Sequence, residues 1–129
     1  MQYIELVAIT AVLQFLFFSV MTGRARMKSG LKAPAMTGDE DFERMYRVQM
    51  NTLEALVMFI PALFIASNYW SHLLISGLGV VYLLGRFIYW RAYVVAPKKR
   101  GLGFIISIIP TFVLIILSII GILLSLVEG

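Results

Sequence analysis

The sequence predicts an all-α fold, an integral-membrane four-helix bundle. Two observations carry that expectation. The 129 residues are 60% hydrophobic and only 14% charged, whereas soluble domains are about 25% charged. The apolar residues also gather in runs long enough to cross a hydrocarbon core, which takes about 20 helical residues. Spans are expected at residues 4–23, 41–69, 73–95 and 102–127. They use nearly the whole chain, leaving a single domain, 1–129, with no room for a soluble one.

Span 1 opens with "MQYIE", which lacks the basic start of a signal peptide, and no small-residue cleavage pattern precedes the first loop. A retained helix is expected. The loop that follows holds Gly30, Pro34 and Gly38, and then Thr37 with Glu40 at capping-box spacing. The neighbouring acids suit the positive end of a helix dipole, so span 2 should begin there. Span 2 starts polar and ends apolar. Pro61 in span 2 and Pro110 in span 4 each remove a backbone hydrogen bond and should bend their helices.

Charge sets the expected topology. Arg24, Arg26, Lys28 and Lys32 lie in the first loop, and Lys98, Lys99 and Arg100 in the third. The middle loop, "SNYWSH", and both ends of the chain carry almost no positive charge. The positive-inside rule then places loops 1 and 3 in the cytoplasm and both termini outside. A net charge of +4 is explained by that topology and by membrane lipid headgroups, with no nucleic acid needed. With no cysteine, disulfides and protein thiolate chemistry are excluded, and a single histidine argues against a metal site.

The candidate site begins in "FERMYRVQMNTLEALVMFIPALF", residues 42–64. On a helix, Arg44, Arg47, Asn51 and Glu54 share a stripe about 80° wide, with Glu43 at its edge. Asn51 lies ~10 Å and Glu54 ~15 Å below Arg44 along the axis. Polar groups at that depth are costly against lipid and should face protein or water. Span 3 repeats the device: Tyr82, Arg86, Tyr89 and Tyr93 fall on one face. Because span 3 runs the opposite way, Arg86 comes level with Asn51 and Glu54. The two faces can meet, with Arg44, Arg47, Tyr89, Tyr93 and Arg100 around a cavity open to the cytoplasm. Such stripes also serve merely to lock helices together, a reading that suits a Glu54–Arg86 pair. The whole set is unbalanced, since four arginines face only Glu54 and Glu43, and surplus buried positive charge invites an anion. A small zwitterionic peptide with two carboxylates suits the inventory, and a thiol beside an arginine would shift toward thiolate.

These residues carry a resemblance. "FERMYRVQMNTLEA" resembles the E-R-x-x-R-x-Q-x-N-x-x-E signature of the MAPEG family, the membrane-associated proteins in eicosanoid and glutathione metabolism. "GRFIYWRAY", residues 85–93, resembles the family's third-span motif. The resemblance implies a homotrimer of four-helix protomers, with glutathione held at protomer interfaces on the cytosolic side. By position, Arg47, Asn51, Glu54, Tyr89 and Tyr93 would hold the tripeptide. Gln49 points away from the stripe and would act on the neighbouring protomer's site, together with Arg26 or, less fittingly, Arg24. Arg44 and Arg86 match family arginines with a partly structural part. Arg100 matches the arginine that activates the thiol, with Lys99 as a competitor. The compact form resembles bacterial members, which implies a bacterial inner membrane.

There are departures: Ala55 stands where many members carry an aromatic ring, and Arg91 and Ala92 also differ from the synthases. The favoured expectation is a membrane glutathione transferase, with peroxidase activity beside it, acting on lipophilic electrophiles that arrive through the bilayer. The alternative is a non-catalytic binding or scaffold protein on the same fold. A small drug exporter fits poorly, since span 1 has no deep carboxylate beyond Glu5.

Overall fold

The computed structural model describes residues 1–129. Four helices run along the bundle: α1 (Gln2–Ser29), α2 (Glu40–Ser67), α3 (His72–Val95) and α4 (Gly101–Glu128), with a 3-10 turn at Pro97–Lys99 before α4. There is no strand. All four are long and apolar enough to cross a membrane. At 1.5 Å per residue, the 28-residue helices are ~42 Å long and reach past the hydrocarbon on at least one side. Only 30 of the 129 residues are buried, and large apolar side chains cover the outer surface of all four helices. That surface suits lipid rather than water.

Helix boundaries have local causes. The C-terminus of α1 closes on Gly30, whose φ of 77° places it in the left-handed region that glycine enters without strain. At the start of α2, the cap is Asp39 rather than the expected Thr37. The Asp39 carboxylate accepts from the Phe42 backbone N–H at 2.9 Å, and Glu43 reaches back to accept from Gly38 N–H at 3.2 Å. A carboxylate beside the dipole's positive end outcompetes the threonine hydroxyl two residues earlier. Pro61 and Pro110 lie inside α2 and α4, which continue through them.

Sequential helices pack antiparallel, with α3 against α4 the most extensive pairing. Small residues allow it. A Cβ at Gly85 would lie 2.5 Å from the Ser107 backbone nitrogen, and one at Gly103 would collide with the Tyr89 backbone. The two backbones touch, as membrane helices do where packing rather than hydrophobicity drives association. Along α4, Gly103, Ser107, Thr111, Leu114, Ser118 and Gly121 form the buried line.

The main core joins all four helices through Ile4, Val7, Ala11, Phe59, Leu63, Ile75 and Leu114, with Phe59 and Tyr82 stacked 3.9 Å apart. A smaller cluster near loops 1 and 3 contains Phe18, Met45, Val48 and Tyr89. Polar pins cross between helices: Gln14 donates to the Leu83 carbonyl, Trp70 to Leu117 and Ser118 to Ala62.

Candidate functional site

Residues of α2, α3 and α4, with the turn before α4, line an open cavity of about 580 Å³ toward the third loop. Asn51, Glu54 and Ala55 come from α2, and Arg86 and Tyr89 from α3. Lys98 and Arg100 close it from the turn, and Met58, Phe104 and Ile108 give it an apolar wall. Its one carboxylate, Glu54, faces three cations, and none of these groups makes an ion pair, the only one in the protein being Arg44–Glu40.

The two polar faces meet through Asn51, whose amide donates to the Tyr89 hydroxyl at 2.5 Å. Arg86 is 2% exposed and sits at the cavity floor. Its guanidinium donates to Thr52 Oγ1 at 2.9 Å and Ser107 Oγ at 3.3 Å, and lies 4.2 Å from the Tyr89 ring centre. Its Nε has no partner. The expected meeting with Glu54 is therefore replaced by hydroxyls, which hold the guanidinium without neutralising it. Thr52 and Ser107 were not singled out from the sequence. Ser107 lies on the small-residue line of α4, a signal that could have found it; Thr52 lies off the polar stripe and gave none.

Tyr93 packs its ring 5.5 Å from that of Tyr89, and the Arg100 guanidinium lies 5.6 Å from the Tyr93 ring centre. Arg100 also donates to the Pro97 carbonyl at 2.7 Å, which turns its side chain back over the loop. Lys98, which the sequence did not distinguish, lines the cavity, whereas Lys99 does not. Arg47 borders a second hollow of about 320 Å³ on the other flank of α2, shared with Glu43, Tyr46, Asn51 and Glu54. Asn51 and Glu54 thus stand on the ridge between two hollows.

The remaining candidates are placed elsewhere within the protomer. Arg44 does not border the first cavity, because its guanidinium is drawn to the Val94 carbonyl at 3.1 Å and to Glu40. Those contacts fasten α2 to the end of α3. Arg26 donates to the Ala35 carbonyl at 2.8 Å and covers the Phe42 ring at 4.4 Å, fastening the first loop. Gln49 points at α1 and donates to Ser19 Oγ at 3.1 Å, away from the cavity. Arg24 lies in a different crevice, between α1 and α3.

Known proteins resemble the chain over most of its length. It matches the MAPEG family over residues 4–120. It is 40% identical over 118 residues to an uncharacterized protein of Synechocystis, covering 92% of this chain and 86% of that protein. It is 37% identical over 116 residues to human microsomal glutathione S-transferase 2, covering 90% and 79%. Guinea-pig (Cavia porcellus) leukotriene C4 synthase is 31% identical over 117 residues, covering 91% and 78%. With four membrane-spanning helices and a family match across nearly its whole length, the chain belongs to the MAPEG family and is an integral, multi-pass membrane protein.

Proposed function

We propose that the protein is a membrane-bound glutathione transferase that joins glutathione to lipophilic electrophiles, with peroxidase turnover at the same thiolate. The observation that carries this reading is the charge imbalance of the first cavity. Arg86, Lys98 and Arg100 face Glu54 alone, beside an apolar wall that an electrophile from the bilayer can approach. The names of the human and guinea-pig relatives support the same chemistry.

In this reading the working unit is a homotrimer in a bacterial inner membrane, with loops 1 and 3 in the cytoplasm. Glutathione enters from that side. Arg47, Asn51, Glu54, Tyr89 and Tyr93 hold its carboxylates, ammonium and amides, and Arg26 and Gln49 reach it from the neighbouring protomer. Arg44 and Arg86 hold the frame on which those contacts rest. Arg100 stabilises the thiolate, since a nearby cation favours the charged form. The sulfur then attacks an electrophilic carbon. A carbon–sulfur bond forms and the leaving group departs with its electron pair, or a conjugated alkene takes up a proton from water. Holding a thiolate beside lipid joins reactants that seldom meet, so positioning supplies much of the rate.

Ala55 favours a second reading, a binding or scaffold protein, because its methyl leaves the α2 side of the cavity without a ring to set beside the ligand. Thiolate difference absorbance on purified protein titrated with glutathione separates the two. The transferase reading expects a saturable signal that Arg100→Ala abolishes. Absence of signal in the wild type at millimolar glutathione would support the scaffold, and full turnover by Arg100→Ala would remove Arg100 from its role.

A further inference from the structure

A separate crevice of about 380 Å³ opens where the ends of α1 and α3 meet the start of α2. Arg24, Lys28 and Arg91 line it together with Asp39 and Asp41, and Trp90 forms its wall. None of these charges is used in an ion pair. We propose that the crevice binds the headgroup of a phospholipid that carries a primary ammonium beyond its phosphate.

The mixed charge set argues for that occupant. Three cations suit a phosphate, whose oxygens accept from arginine forks and lysine. Two carboxylates would repel a purely anionic headgroup but accept from an ammonium a few ångströms further on. Asp39 spends one oxygen on the Phe42 N–H, while Asp41 makes no hydrogen bond and is exposed. Asp41 is therefore the acceptor left free.

The placement relative to the bilayer agrees. Phe17 and Phe87 lie beneath the crevice, 39% and 42% exposed, packed on the Trp90 ring at 5.2 and 6.4 Å between centroids. Phe17 is ~10 Å deeper along α1 than Arg24, and Phe87 ~6 Å deeper along α3 than Arg91. Charges sit above and an aromatic ledge below, which matches the head-to-chain order of a lipid at the interface. The crevice is also independent of the glutathione site. Arg26 points roughly 130° around α1 from the mean direction of the α1 residues that line the crevice and is not among them, so a neighbour engaging Arg26 would leave it open.

The test uses native mass spectrometry of the full-length protein in detergent, titrated with phosphatidylethanolamine, phosphatidylcholine and phosphatidylglycerol of identical chains. Phosphatidylethanolamine should be retained several-fold more than either of the others. Arg91→Ala should weaken its retention, and Asp41→Asn should bring it down to the level of phosphatidylcholine, with helical circular dichroism unchanged in both. Glutathione absorbance should be unaffected by either variant, so this result stands or falls apart from the transferase reading. Preference for phosphatidylglycerol would overturn the proposal in favour of a purely anionic ligand. Preference for phosphatidylcholine would overturn it in favour of the Trp90 face. Equal retention of all three, or ethanolamine preference surviving in Asp41→Asn, would also overturn it.

Discussion

The Asn51 amide donates to the Tyr89 hydroxyl at 2.5 Å, joining the polar faces of α2 and α3 at the edge of the first cavity. The bond fixes a phenol that also lies under the Arg86 guanidinium. Tyr89→Phe removes the acceptor and keeps the ring. It should cost about 1 kcal/mol of stability. If the hydroxyl also orders the glutathione site, the dissociation constant should rise about 5-fold, read by thiolate absorbance. An unchanged constant would confine Tyr89 to packing.

Thr52 presents Arg86 with its closest acceptor. Thr52→Val matches it in shape but strands a buried N–H, and should destabilise the protein by about 1–3 kcal/mol. Thr52→Ser, which keeps a hydroxyl, should behave nearly as wild type. Thermal melts followed by circular dichroism decide this, since a chain without cysteine gives no signal with thiol-reactive dyes.

Gly85→Ala would force a methyl against the Ser107 backbone. The loss should be about 1–3 kcal/mol, as for other overpacked sites, and seen as a lower melting temperature. Because Ser107 also holds Arg86, turnover should fall at temperatures where the variant is still folded.

Ala55 borders the cavity one residue after Glu54. Ala55→Tyr should tighten glutathione binding, with up to about 1.5 kcal/mol from ring contact, or roughly tenfold in the dissociation constant. A ring that weakens binding would mean the cavity is shaped for a bulkier ligand.

The four spans were legible because hydropathy over a helix length is decided by the bilayer, whatever the packing. Azimuth was legible too: Asn51, Glu54, Arg86 and Tyr89 meet around one cavity, as their spacing required. Side-chain reach was not. An arginine extends several ångströms from its backbone, so Arg44, on the same stripe as Asn51, turns instead to Val94 and Glu40. The choice between Asp39 and Thr37 as cap depended on where the loop turned, and Lys98 enters the cavity only because the turn before α4 aims it there.

Backbone contact at Gly85 and Gly103 leaves no side chain between α3 and α4, so the two helices form one continuous wall. Arg86 and Tyr89 on one side, and Phe104 and Ser107 on the other, sit on that wall with no gap between their helices for a bulky molecule to pass. In the proposed reading, a guest from the bilayer would have to enter on the α2 side, where Ala55 and Met58 border the cavity.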